Sequence, residues 1–220
     1  MHILYLPTGK KFEELPNPFY LCTIDPGTAN FGFRIEKRYA KKNKVKMVIV
    51  FMELLDFSEA EYSDVVMNVM NGFEDLLFIF RKVSIFVIEE QMSKQNPKMC
   101  ILSTVLLTFL MCRLDTSRLN PAIYMIHPQA VKQYLGIAGK KVPKNDKKKY
   151  VNEYALFLYK RSEDSGSLKK LLQYKKADQL HLTDATVQAD IICDLEGYPA
   201  ICSQEEALEF ISTIKDKFDK

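Results

Sequence analysis

Apolar and polar positions follow different rhythms along this chain, and each rhythm predicts a different element. Phe19–Ile24 is a short apolar run, Phe31–Lys37 alternates, and Lys46–Met52 is apolar and rich in β-branched residues. Short runs and two-residue alternation belong to strands, and Gly27 and Asn30 supply turn chemistry between the first two. The spacing therefore predicts an antiparallel meander. Over Glu59–Arg81 the rhythm becomes helical, with Val66, Met70, Phe73, Leu77 and Phe80 three and four residues apart on one face. Ile85–Ile88 reads as a strand ending on Glu89 and Glu90. Pro97–Cys112 reads as a helix with apolar residues around most of its circumference, hence buried on several sides or set against another subunit.

Further along, Ala122–Ile126 reads as a strand and Pro128–Leu135 as a short helix with proline in its first turn. Residues 140–149, KKVPKNDKKK, read as a loop leading into a helix over Lys149–Tyr159. Glu163–Ser167 reads as a polar loop, Leu182–Leu195 as a helix broken at Gly197–Pro199, and Gln204–Phe218 as a closing helix. Residues 1–18, with Pro7, Gly9, Pro16 and Pro18, read as an N-terminal extension or loose cap. The order of elements implies an α/β fold with a mixed sheet flanked by helices. One domain over residues 19–200 is expected, followed by a C-terminal helix in 201–220.

Composition agrees with this and excludes several classes. The chain has 220 residues, 47% of them hydrophobic, which suits one α/β core. A charged fraction of 27% argues against disorder throughout. The formal net charge of +3 says little about partners, but six lysines fall within residues 140–149. Five cysteines, at 22, 100, 112, 193 and 202, are odd in number and lack CxxC spacing. They read as reduced, buried thiols of an intracellular protein, not as disulfides or a zinc site. The N-terminus lacks the pattern of a signal peptide. The most apolar uncharged run, Met99–Cys112, is shorter than the roughly 20 residues of a membrane-spanning helix. A soluble protein with no membrane partner is expected.

Acidic residues carry the candidate chemistry. Asp25 leaves an apolar strand where a Pro-Gly turn begins, and Glu89 and Glu90 end the fourth strand on opposite faces. Ligands of open α/β sheets gather at strand carboxyl ends. His181 and Asp184, three apart, share one helical face, which Asp178 joins if the helix starts early. Asp190 is turned well away from it. Each feature also has a plain structural reading: Asp25 as a turn cap, the two glutamates as a solvated strand end, Asp178 or Thr183 as a helix cap. Taken together they match what two-metal phosphodiester hydrolysis needs. That chemistry requires several hard oxygen ligands from different elements, holding two ions roughly 3.5–4 Å apart.

The motifs resemble those of the RuvC-type Holliday-junction resolvases. Cys22–Phe33, CTIDPGTANFGF, resembles the family's first-strand motif, an IDPG run followed by a glycine-containing second strand. Ile88–Gln91 resembles the second acidic motif. His127–Gly136, HPQAVKQYLG, resembles the P-x-x-V-K-x-x-x-x-G segment, with Pro128, Val131, Lys132 and Gly136 in place. Lys175–Ala185 resembles the final motif ending in Asp-Ala. These occur in family order over about residues 19–195. The IE-x-Q signature resembles the divergent resolvases of large cytoplasmic DNA viruses, the poxvirus type included, whose setting would be host cytoplasm or virion.

The resemblance implies an RNase H-like fold with the first three strands antiparallel and the rest parallel. It also implies a homodimer that resolves four-way DNA junctions with two Mg²⁺ or Mn²⁺ ions and no nucleotide cofactor. Asp25, Glu89 and Asp184 match three of the family's four metal-binding acids. His181 stands where many members have the fourth, with Asp178 as its alternative and Glu90 as the alternative to Glu89. Lys132, with Lys140, Lys141, Lys144, Lys147 and Lys148, matches a basic region beside the active site. The helix over residues 97–112 matches the dimer interface, with Met99, Leu102, Leu106 and Leu110 as one stripe and Ile101, Val105 and Phe109 as another. Three rivals share the fold. One is a DNA-binding member without catalytic activity, which the three matching acids argue against. A nuclease for flaps or RNA–DNA hybrids needs the same chemistry. An actin-like or sugar-kinase-like ATPase opens with a similar D-x-G-T turn, but needs glycine-rich loops that eight glycines do not supply.

Overall fold

Six strands, β1 Ile3–Leu6, β2 Phe19–Asp25, β3 Phe31–Lys41, β4 Lys44–Leu55, β5 Val83–Glu89 and β6 Ala122–Ile126, form a sheet of order β1-β6-β5-β2-β3-β4. A computed structural model describes residues 3–6, 15–27, 31–41, 44–56, 61–91, 97–114, 121–139, 142–162 and 165–218. The meander β2-β3-β4 is antiparallel, whereas β5 and β6 run parallel to β2. The mixed sheet read from the sequence is therefore present. Its far edge holds a correction. Ile3–Leu6, read as part of a loose cap, pairs antiparallel with β6, Ile3 opposite Ile126. Four residues are too few to show a period, and their partner is more than a hundred residues away.

Helices cover both faces. On one, α1 (Tyr62–Asp75), α2 (Leu77–Phe80) and α3 (Pro97–Arg113) enclose a core of Cys22, Ile24, Phe33, Phe73, Phe86 and Leu106. On the other lie α4 (Pro128–Tyr134), α5 (Lys144–Arg161), α6 (Ser165–Leu171), α7 (Lys176–Leu195) and α8 (Gln204–Phe218). Their core includes Leu21, Val87, Tyr154, Leu182, Val187 and Ile211. α8 thus belongs to the main core. Among the described residues no helix is long and apolar enough to cross a membrane.

Several boundaries differ from the sequence reading. The lysine-rich stretch is helical from Lys144, because Pro143 can precede a helix but not continue one backwards. Lys140 and Lys141 lie outside the described residues, as do Thr28, Asn30 and the start of the predicted 59–81 helix. Ser165–Ser167, read as loop, opens α6, and α7 begins six residues before Leu182. The deeply buried face of α1 is Val65, Val69 and Phe73, while Val66 and Met70 flank it. Cys22, Cys193 and Cys202 are buried, but Cys100 is half-buried and Cys112 exposed. In α3, Phe109 is not on an outer stripe. It is buried, with its ring 6.0 Å from that of Phe73, while Ile101 is 54% exposed.

Candidate active site

β2 and β5 are adjacent and parallel, with Ile24 opposite Ile88, so Asp25 and Glu89 end neighbouring strands at the same edge. Alternation puts both on the face that carries Leu21, Ile85 and Val87, the face covered by α7. Glu90 has the other parity, and its N–H donates to the Ile126 carbonyl at 2.9 Å. From α7 come His181, Asp184 and Gln188, at i, i+3 and i+7 on one side of the helix. Nδ1 of His181 lies 3.1 Å from Oδ2 of Asp25. Asp178 is one turn earlier, and it is His181 that reaches Asp25. Gly32 pairs with Asp25 across β2 and β3. A methyl group built there would lie 3.8 Å from Cβ of His181 and 3.9 Å from that of Asp25, so helix and strands are in ordinary contact.

Glu89 is held at both oxygens. Gln188 donates Nε2–H to Oε2 at 2.5 Å, and Gln91 donates Nε2–H to Oε1 at 3.3 Å. Gln188 is a residue that sequence reasoning missed. Its signal was available: it lies four residues beyond Asp184 and so on the same helical face. Glutamine at a buried helical position is nevertheless chemically silent until its partner is known.

The electrostatics are those of acids crowded together. Burial raises the Glu89 pKa well above the usual carboxylate range, and repulsion from Asp25 and Asp184 adds to it. Asp184 is pushed up to about 7, first by burial and then by Asp25. Burial raises Asp25, against the pull of the His181 hydrogen bond, and that same bond raises His181. Three carboxylates are hard oxygen donors suited to Mg²⁺ or Mn²⁺, the imidazole is the softer member of the set, and a cation would relieve the repulsion among the acids. Among the described residues no three His, Cys, Asp or Glu side chains already form a group that could hold a metal ion. The donor chemistry of the three acids thus fits a divalent ion, although in this structure they are not gathered closely enough to form a shell around one.

No family model and no curated protein matches this chain. Solved structures do. The Thermus thermophilus RuvC structure superposes with a TM-score of 0.53 at 17% identity, covering 81% of this chain and 97% of that one. T. thermophilus RuvC in complex with Holliday junction substrate gives 0.52 at 16% identity over the same shares, 81% and 97%. The yeast mitochondrial Holliday junction resolvase Ydc2 gives 0.53 at 12% identity, covering 92% of this chain and 90% of that one. The chain has the RNase H-like fold of the RuvC-type resolvases. At these identities the likeness is one of fold.

Beside the acids, the RuvC fold of this chain forms a cavity of about 290 Å³, bordered by Glu89, Asp184 and Gln188 on one side and Lys132, Lys147 and Lys148 on the other. Lys147 and Lys148 are adjacent on α5. Lys132 sits in the last turn of α4, whose ends are both fixed. At the start, Nδ1 of His127 accepts the Gln129 N–H at 3.0 Å. At the end, Gly136 takes φ +64 and the Ile137 N–H bonds the Lys132 carbonyl at 2.9 Å. The segment that resembled a family motif thus positions one lysine. Lys144 opens α5, the helix that carries the other two.

Replacing Lys132, Lys147 and Lys148 together with glutamine should weaken DNA binding and lower the slope of log K against log salt by about 3, one per lost phosphate contact. Binding titrations over a range of salt would check it; an unchanged slope would mean these lysines meet no phosphate. A carboxyl whose folded pKa is raised holds its proton more tightly when folded, so Asp184 should cost stability as pH rises from about 4 to about 7. An ion bound there must displace that proton at pH 5 but not at pH 8. The rise in Tm on adding Mg²⁺ should therefore be larger at pH 8. Thermal melts with and without the ion test this, and an equal rise at both pH values would count against Asp184 as a ligand.

Proposed function

We propose that this protein is a divalent-metal-dependent endonuclease that resolves four-way DNA junctions. The observation that carries the reading is the meeting of Asp25, Glu89, His181 and Asp184 with Lys132, Lys147 and Lys148 at the carboxyl edge of a RuvC-fold sheet. Asp25, Glu89 and Asp184 would hold Mg²⁺ or Mn²⁺, two ions by the resemblance, with His181 at the fourth position. The chemistry supplied by such ions is activation of the attacking water and stabilisation of the leaving oxygen. The chain's own groups do the rest. The lysines bind the phosphates that flank the scissile bond. Gln188 and Gln91 fix the Glu89 carboxylate in one orientation. His181 holds Asp25 in place and shares a proton with it.

Junction DNA is the substrate that this reading selects, since one similar structure is RuvC in complex with Holliday junction substrate and another is named a Holliday junction resolvase. The test is cleavage of a four-way junction, a flap, an RNA–DNA hybrid and a linear duplex, each with Mg²⁺ or Mn²⁺ and with chelator. Metal-dependent cutting of the junction in preference to the other three supports the reading. Preference for the flap or hybrid would assign another nuclease of the same fold.

A homodimer completes the reading, because paired nicks on opposed strands need two active sites related by a twofold axis. The α1–α3 layer is the surface we assign to it. It exposes Met67, Ile101 and Met111 and carries a groove of about 410 Å³ bordered by Met70, Val105, Thr108 and Cys112. Val105→Glu, at a half-buried position facing that groove, should give a folded monomer that binds junctions poorly and makes single nicks. Sedimentation and nicking assays check it, and a wild-type protein that sediments as a monomer with and without junction would refute the dimer.

A further inference from the structure

The β3–β4 hairpin carries a second basic surface at the end of the sheet away from the acids. Its register places Tyr39 opposite Lys46 and Lys41 opposite Lys44. Like charges directly across a strand pair are destabilising, and an anion bound beside Lys41 and Lys44 would offset that. Lys41, Lys44 and Lys46 are all exposed, and with Tyr39 and Arg161 they border a cavity of about 770 Å³. Lys37 extends the cationic face, with its Nζ 5.0 Å from the ring centroid of Tyr39 and 5.6 Å from that of Tyr20. Arg161 is already paired with Glu206. Among the described residues, no acid forms an ion pair with Lys41, Lys44 or Lys46.

The charges lie in rows and do not converge on a point. Alternate residues of a strand are about 6.8 Å apart, which is about two steps of the 3.4 Å rise per phosphate that one DNA strand makes along the helix axis. A row of this kind fits a repeating polyanion better than a single small anion. From Gly32, opposite Asp25, to Lys41, β3 covers about 30 Å, or about nine base pairs of duplex.

We infer that this groove is a second DNA-backbone site, which grips a duplex arm of the branched substrate about nine base pairs from the cleaved position. The inference rests on the nuclease reading above. It makes affinity depend on arm length. Lysines acting as point charges read no sequence, so the grip is sequence-independent and salt-sensitive. The half-exposed Tyr39 ring offers a flat contact to the sugar-phosphate edge.

The test replaces Lys41, Lys44 and Lys46 together with glutamine, and in a second variant with arginine, and measures binding to two junctions by fluorescence anisotropy. One junction has arms well beyond about nine base pairs and the other has arms cut back below that length. The glutamine variant should bind the long-armed junction at least about tenfold more weakly, with a salt slope lower by about 3. It should bind the short-armed junction as the wild type does, and turn over normally at saturating DNA. The arginine variant should keep wild-type affinity. Equal affinity of wild type and glutamine variant for the long-armed junction would overturn the inference, as would an equal loss on both junctions. If wild type proves not to prefer junctions, the nuclease reading fails separately. The groove is then judged on a long linear duplex, where the same loss is expected.

Discussion

Asp25→Asn is expected to slow junction cleavage about a thousandfold or more, equivalent to roughly 4 kcal/mol of barrier, while junction binding stays near wild type. The effect is large because Asp25 ends β2 beside Glu89 on β5 and faces His181 across 3.1 Å. Under the proposed function, removing its charge takes away one of the three acids that would hold the metal. Asparagine keeps the shape and can still hydrogen-bond His181, so folding should be preserved. Binding should persist because Lys132, Lys147 and Lys148 are untouched and the site becomes less negative. Single-turnover cleavage together with anisotropy would separate the two effects. Cutting at a normal rate would mean that Asp25 only caps its turn.

Asp190→Ala should lower stability by about 3–5 kcal/mol, the usual cost of removing one partner from a buried ion pair. In a chain of this size that is a fall in Tm of about 10 °C or more. Asp190 lies at the centre of a buried network. It accepts from Nη1 of Arg38 at 3.0 Å and from the N–H groups of Ile201 at 2.7 Å and Cys202 at 3.2 Å. Nε of Arg38 also donates to Oε1 of Glu36 at 2.5 Å, and Arg34 bonds the other oxygen of Glu36. Burial alone would raise Glu36, yet the two arginines hold its carboxyl below the usual range. The network fastens β3 to α7, the helix that carries His181, Asp184 and Gln188. Its loss should loosen the active site as well as the fold. Asp190→Asn, which keeps most of the hydrogen bonds, should cost less. Thermal melts of both variants test this, and an alanine variant that melts with wild type would show the network to be dispensable.

That network marks where sequence reasoning reaches its limit. Alternation in Phe31–Lys37 was legible and correctly gave a strand with two unlike faces. A polar face is ordinarily assigned to water, but Arg34, Glu36 and Arg38 turn inward because they neutralise one another and Asp190. Alternation reports which residues share a face, and only the tertiary partner reports what the face meets. Asp25 and Glu89 were easier to read, since each ends a short apolar run and strand ends are where open sheets collect ligands. The shared face of His181 and Asp184 followed from their spacing alone. The lysine run could be read as charge but not as helix. Lys147 and Lys148 reach the acids only because α5 begins at Lys144 and packs beside α7. β1 was invisible for another reason, because its pairing with β6 joins segments from opposite halves of the chain.

The decisive measurement uses a four-way junction carrying distinct labels on two opposed strands, incubated with the protein and then supplied with Mg²⁺. A junction resolvase should make metal-dependent nicks at matching positions on both labelled strands within one binding event, releasing two duplexes whose nicks can be sealed by ligase. An intact junction under these conditions, or nicks at unmatched positions with a linear duplex cut equally well, would rule out the proposed function.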